Sequence, residues 1–239
     1  MSKNFELLQQ VQRDRSDSVA SLLEESQYSG GEWASDESLR LVQQVFLTHV
    51  KNPPRVVVFA GIDHGNGCSQ TCASVAEALA KNTSGSVCIV EANFRSPGLP
   101  QLLRATNPLG LTDALLQDGP IRSFASPIGI DKLWLLSCGT LTADSASLLS
   151  SEQIKGRLAE LRAEFDFVVV DAPPLTRYAD AIALGQISDG VVLVLEAEST
   201  RREAAQMAAA NLRTSQVPIL GAVLNKRTFP IPEKLYKWL

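Results

Sequence analysis

Arg55 to Lys81 reads RVVVFAGIDHGNGCSQTCASVAEALAK, and this stretch decides the fold. Val56, Val57, Val58 and Phe59 form an unbroken apolar run of the kind buried on both faces of a parallel sheet. A loop with Gly65 and Gly67 follows, then a helical pattern in which Cys72, Val75, Ala76, Leu79 and Ala80 share one stripe. Strand, glycine loop and helix in that order build an anion cradle, because loop amides and the positive helix end point at one spot. A P-loop places a lysine after its last glycine to reach the β- and γ-phosphates. Cys68 stands there instead. Gly65, Asn66, Gly67, Cys68, Ser69 and Gln70 are the candidate nucleotide contacts of a cradle that lacks its main charge.

Working outward, the same unalternating strands recur between helices. Strands are expected at Val87–Val90, Leu133–Leu136, Phe167–Val170, Val191–Leu195 and Ile219–Leu224. Helices are expected from Ser35 or Asp36 to about His49, with Leu39, Val42, Phe46 and Val50 inward, and again at Ala179–Ile187 and Arg201–Arg213. A short helical pattern covers Thr112–Leu116, and a longer one turns Leu148, Ile154, Leu158, Leu161 and Phe165 to the core. The expected fold class is α/β, a three-layer P-loop NTPase domain with a mostly parallel central sheet flanked by helices. Ligands of such sheets gather at the carboxyl ends of the strands. The loop after Gly61, the segment Glu91–Arg95 and the segment Asp171–Pro174 all belong there.

Composition bounds the function. The 239 residues are 45% hydrophobic and 20% charged, enough for one large core. A net charge of −4 argues against a nucleic-acid partner, which needs a basic face. No signal-peptide or membrane-length apolar run occurs, and four cysteines are too few for a disulfide scaffold, so the expected setting is the cytosol. Residues 1–35 are expected to be a tail, either flexible or a peptide that orders on a partner; 36–227 form the domain, and 228–239 an apolar, partly basic tail.

These motifs together resemble the cytoplasmic domain of bacterial tyrosine autokinases, which serve capsule and exopolysaccharide synthesis and are related to septum-site and partitioning ATPases. The resemblance runs from about Asp36 to Leu224. GIDHGNGCSQT stands where the family has Pro-Gly-Glu-Gly-Lys-Ser-Thr-Thr, and EANFRSP is similar to its second phosphate motif, Asp-x-Asp-x-Arg-x-Pro. FDFVVVDAPPL resembles its Walker B strand, while SASLLSSEQI, DAIALGQISDGVVLVLEAESTRRE and ILGAVLN continue the pattern. The resemblance implies Mg²⁺ contact at Ser69 and Asp171, a base-side position at Asn225, and weakly bound ATP or ADP with Mg²⁺. It implies a membrane co-polymerase, or chain-length regulator, as partner and recruitment to the inner face of the membrane. Glu37 and Arg40 match part of a family motif that links subunits into a ring; at this spacing they equally suit an intrahelical pair.

The departures are as specific as the matches. His64 replaces the proline, Asn66 the glutamate, Cys68 the lysine and Gln70 a threonine. Glu91 and Asn93 replace the two aspartates of the second motif, while Arg95 is retained, so Glu91, Asn93, Arg95 and Asp171 are at best degenerate catalytic candidates. The terminal tyrosine cluster, the enzyme's own substrate, is reduced to Tyr236. Losing a hydrogen bond to a charged group costs about 1.5–3 kcal/mol, roughly ten- to a hundredfold in binding. Losing one donor to developing charge costs about 10²–10³ in rate. Retained binding without efficient catalysis follows as the expectation; the alternative is a weak tyrosine kinase or a partitioning-type ATPase. Cys68 is either a small filler or a reactive thiol, and with Cys72 alone it makes a poor zinc site.

Overall fold

The computed structural model describes residues 36–48, 53–106, 108–142 and 144–228. The expectations for residues 1–35, His49, Val50, Tyr236 and the tail beyond Thr228 lie outside them. Seven strands form one sheet in the order β3-β4-β2-β5-β1-β6-β7. They are β1 (Val56–Gly61), β2 (Val87–Glu91), β3 (Ser126–Pro127), β4 (Leu133–Leu136), β5 (Phe167–Ala172), β6 (Gly190–Glu196) and β7 (Ile219–Asn225). All pairings are parallel except β3 with β4. Six of the seven strands stand where the apolar runs put them. β3 was not expected, since two residues, one of them Pro127, carry no periodicity to read.

Period-two alternation divides the core. Val57 and Phe59 of β1, Val87 and Ile89 of β2, Val169 of β5 and Val192 and Val194 of β6 face one layer, with helices α1 (residues 36–47), α2 (Cys68–Asn82) and α3 (Leu99–Leu102). Val56 and Val58, Cys88 and Val90, Val168 and Val170 face the opposite layer. That layer holds α4 (Leu111–Leu116), α5 (Glu152–Glu164), α6 (Asp180–Gln186) and α7 (Arg202–Thr214). Strands covered on both faces have no reason to alternate polar with apolar residues, which is why they read as valine runs.

Two expectations need correction. The last turn of α1 widens into a π-turn at Gln43–Leu47, so Val45 is buried beside Val42 and Phe46, while Leu39 is only half-buried. Ahead of α5 the chain makes a separate 3₁₀ turn at Ser145–Ser150, which buries Leu149 and leaves Leu148 partly exposed. A tighter turn shifts the inward position by one residue.

The opposite end of the sheet from the loops is held by charge. Asp189 Oδ2 accepts from the amides of Arg55 and Val56 at 2.7 and 2.8 Å, and Oδ1 accepts from Arg162 at 2.8 Å. Burial works against this carboxylate, but the Arg162 guanidinium and the two amides outweigh it and hold its pKa below the ordinary 3.8. The Arg55 guanidinium in turn donates to the carbonyls of Arg162, Phe165 and Asp166. Asp189→Ala is expected to destabilise the domain by about 1.5–3 kcal/mol, read as a lower urea midpoint with unchanged slope. Because the folded pKa is depressed, the stabilisation is present above 3.8 and the gap between the two proteins narrows as pH falls below it.

Candidate functional site

The carboxyl ends of β1, β2, β5, β6 and β7 meet at one edge, and five segments converge there. The loop after β1 turns through Gly65 (φ 88°) and Gly67 (φ 80°) into the first turn of α2. Gly67 is required twice over: its backbone is left-handed, and a Cβ would lie 2.2 Å from Asn225 Nδ2. Asn66 is buried and braces the loop from within, its Oδ1 accepting from the Asp63 amide at 2.6 Å. Asn225, at the end of β7, donates to the Asn66 carbonyl at 2.9 Å. Lys226 donates to the Gly65 carbonyl at 2.7 Å and pairs with Glu196 of β6 at 3.2 Å.

The sequence reading singled out neither Glu196 nor Lys226. Each follows an apolar strand, and only the sheet order brings them within reach of the loop. Asn225 therefore clamps the loop backbone and lines a neighbouring groove with Glu37, Arg40 and Gln70. The cavity above the loop is about 190 Å³ and is lined by Gly65, Asn66, Gly67, Cys68, Ser69 and Asn93 among others. Small-molecule sites usually enclose about 300–1,000 Å³, so this space suits a phosphate group better than a whole nucleotide.

Beneath the loop lies Asp171, on β5 next to β1 and β2, with no exposed surface. Ser69 donates to its Oδ2 at 2.5 Å, whereas Oδ1 is buried with no hydrogen-bond partner. Burial pushes Asp171 up to about 6, although the Ser69 hydroxyl and the nearby Cys68 and Cys72 thiols pull the other way. Cys72 holds the Cys68 thiol down, but burial and the Asp171 carboxylate prevail and raise Cys68 to about 11; burial also raises Cys72 well above the ordinary thiol value. A thiolate at the helix start is therefore not the resting state, and the helix dipole loses to desolvation.

The second motif is turned to other partners. Glu91 is fully buried and its Oε1 accepts from the amides of Gly98 and Leu99 at 2.5 and 2.9 Å, so it holds the entry to α3. Asn93 reaches the cavity wall and accepts from the Ser96 amide at 3.3 Å. Arg95 stacks over the Tyr178 ring at 4.7 Å and pairs with Asp180 at 3.7 Å, on the α6 side. Among the residues lining the cavity there is no lysine or arginine. The arrangement provides backbone donors and a helix end for an anion, with a serine–aspartate pair beneath.

No family model matches the chain. Over 161 residues it is 33% identical to the tyrosine-protein kinase YwqD of Bacillus subtilis, a match covering 67% of this chain and 68% of that protein. Among solved structures, the chimerical protein CapA2B2 superposes with a TM-score of 0.76 at 21% identity, covering 81% of this chain and 85% of that one. The septum site-determining protein MinD of Pyrococcus horikoshii, solved with Mg-ADP, has a TM-score of 0.62 at 18% identity, covering 77% and 76%. The fold is that of the P-loop NTPases.

Burial raises Glu91 to about 7 from an ordinary 4.5. A carboxyl with a raised folded pKa stabilises below 4.5, and that contribution is lost as pH rises through about 7. Asp171 acts in the same direction up to about 6. Glu91→Gln keeps an acceptor for the two amides without a charge. The variant is expected to be more stable than the parent at pH 8, with the difference shrinking toward pH 5, in urea titrations across that range.

Proposed function

The chain belongs to the bacterial tyrosine-protein kinase family, and on that premise we propose that it acts by binding rather than by phosphoryl transfer. Its role is that of a kinase-like regulator or scaffold of exopolysaccharide or capsule polymerisation and export. Its partner is a membrane co-polymerase that recruits it to the inner face of the cell membrane. One observation carries this reading: the cavity has the family's backbone cradle and, among its lining residues, no lysine or arginine. Cys68 fills the lysine's place, Arg95 is committed to Tyr178 and Asp180, and Lys226 grips the loop through the Gly65 carbonyl.

Phosphoryl transfer relies almost wholly on positioning and charge. The residues present fit Mg·ATP or Mg·ADP only in part. The unpartnered Asp171 Oδ1 and the neighbouring Ser69 hydroxyl suit the hydrated Mg²⁺ that such a nucleotide brings. The loop amides would receive a phosphate, but nothing in the cavity neutralises it. Binding is accordingly weak. Residues 36–227 form the kinase-like unit, with 1–35 and 228–239 as its tails. The exposed Glu37 and Arg40 face the groove beside Asn225 and are the place for self-association. No helix among the described residues is long and apolar enough to cross a membrane.

Calorimetric titration with Mg·ATP tests the reading. The protein is expected to bind more weakly than about 10 µM and release no phosphate, and Cys68→Lys to bind about ten- to a hundredfold tighter. Binding tighter than about 10 µM with phosphate release by the unmodified protein would overturn it.

A further inference from the structure

The two cysteines of α2 are not alone. Cys68 and Cys72 lie one helical turn apart, and the sheet brings Asp171 of β5 against them. One ligand atom from each of the three lies within 4.8 Å of the others. The third donor comes from a residue about a hundred positions away, which is why two thiols at this spacing read as a poor metal site from sequence. We propose that Cys68, Cys72 and Asp171 form a site for a soft divalent metal ion, zinc(II) above all, with its fourth position open to the cavity over the loop.

Tetrahedral zinc takes sulfur at about 2.3 Å and carboxylate oxygen at about 2.0–2.2 Å, which sets its ligand atoms under about 4 Å apart. The observed cluster needs a contraction of about 1 Å or less, within the freedom of side-chain rotation. Independent support comes from the Asp171 Oδ1 atom: it is buried, carries no hydrogen bond, and belongs to the carboxyl that lies beside both thiols. An orphaned carboxylate oxygen beside two thiols is a donor set that suits such an ion. Two sulfurs exclude Mg²⁺ and Ca²⁺, which require oxygen ligands. Cys72 and Asp171 are fully buried, while Cys68 is half-buried and lines the cavity, giving the ion an entry path.

Binding replaces each thiol proton with a sulfur–metal bond, so two protons leave to solvent for one dication gained. The site then holds a cation at the base of the cradle, at the position where Cys68 displaces the lysine. It shares Asp171 with the Mg²⁺ position of the proposed function. The test is therefore run without nucleotide, where its failure leaves that reading untouched.

Reduced, chelator-stripped protein is titrated with Co²⁺ and then Zn²⁺. One equivalent of Co²⁺ is expected, with thiolate-to-cobalt charge-transfer absorption and tetrahedral ligand-field bands, both erased by Zn²⁺. Cys68→Ser and Cys72→Ala are expected to abolish the charge transfer, Asp171→Asn to weaken binding more than about tenfold, and Cys138→Ser to change nothing. Because Cys72 is buried, alkylation of Cys68 in the unmodified protein gives a second readout: Zn²⁺ should slow it more than about tenfold. An absent charge-transfer band, a band that survives Cys68→Ser, or unaltered Cys68 alkylation would overturn the proposal.

Discussion

A single hydrogen bond, Ser69 Oγ to Asp171 Oδ2 at 2.5 Å, ties the first turn of α2 to the central strand β5. It fixes where the loop sits above the sheet, because it joins the helix that follows the loop to a buried residue of that strand. The bond also forces a buried carboxyl to stay beneath the loop. A carboxylate with no exposed surface and one unpartnered oxygen is costly unless a cation or a proton meets it. Among the described residues no lysine meets it. Burial therefore raises its pKa, and the two thiols remain protonated.

Around that point the loop is over-determined. Asn66 braces it from inside, Asn225 pins its backbone from β7, and Lys226 with Glu196 closes the outer side. These contacts hold the cradle shape. Two cationic side chains near it are spent on structure: Lys226 on a loop carbonyl, Arg95 on Tyr178 and Asp180. In the proposed reading the cradle keeps its shape without the charge on which phosphoryl transfer relies.

Much of the fold was legible in the sequence because valine runs such as Val56–Phe59 and Val168–Val170 are buried on both faces and advertise it. The stripe Cys72, Val75, Ala76, Leu79 and Ala80 was equally plain, and all five are buried. What stayed hidden depends on long-range placement or on turn geometry. The π-turn that buries Val45 and the 3₁₀ turn that buries Leu149 depart from the 3.6-residue period. Ser126–Pro127 is too short to signal a strand. At the site, motif spacing marked Ser69, Asp171 and Cys68, but not that Glu91 would turn to the amides of Gly98 and Leu99, nor that Cys72 would join Asp171. Those follow from sheet order, which no local pattern encodes.

The most direct measurement is phosphotyrosine formation by the full chain under single-turnover conditions with Mg·ATP and an excess of protein, followed by mass spectrometry. A cradle without a cation should yield no phosphotyrosine above that of an Asp171→Asn variant. Stoichiometric phosphotyrosine that disappears in Asp171→Asn would show that the site still transfers phosphate and would contradict the separation of shape from charge.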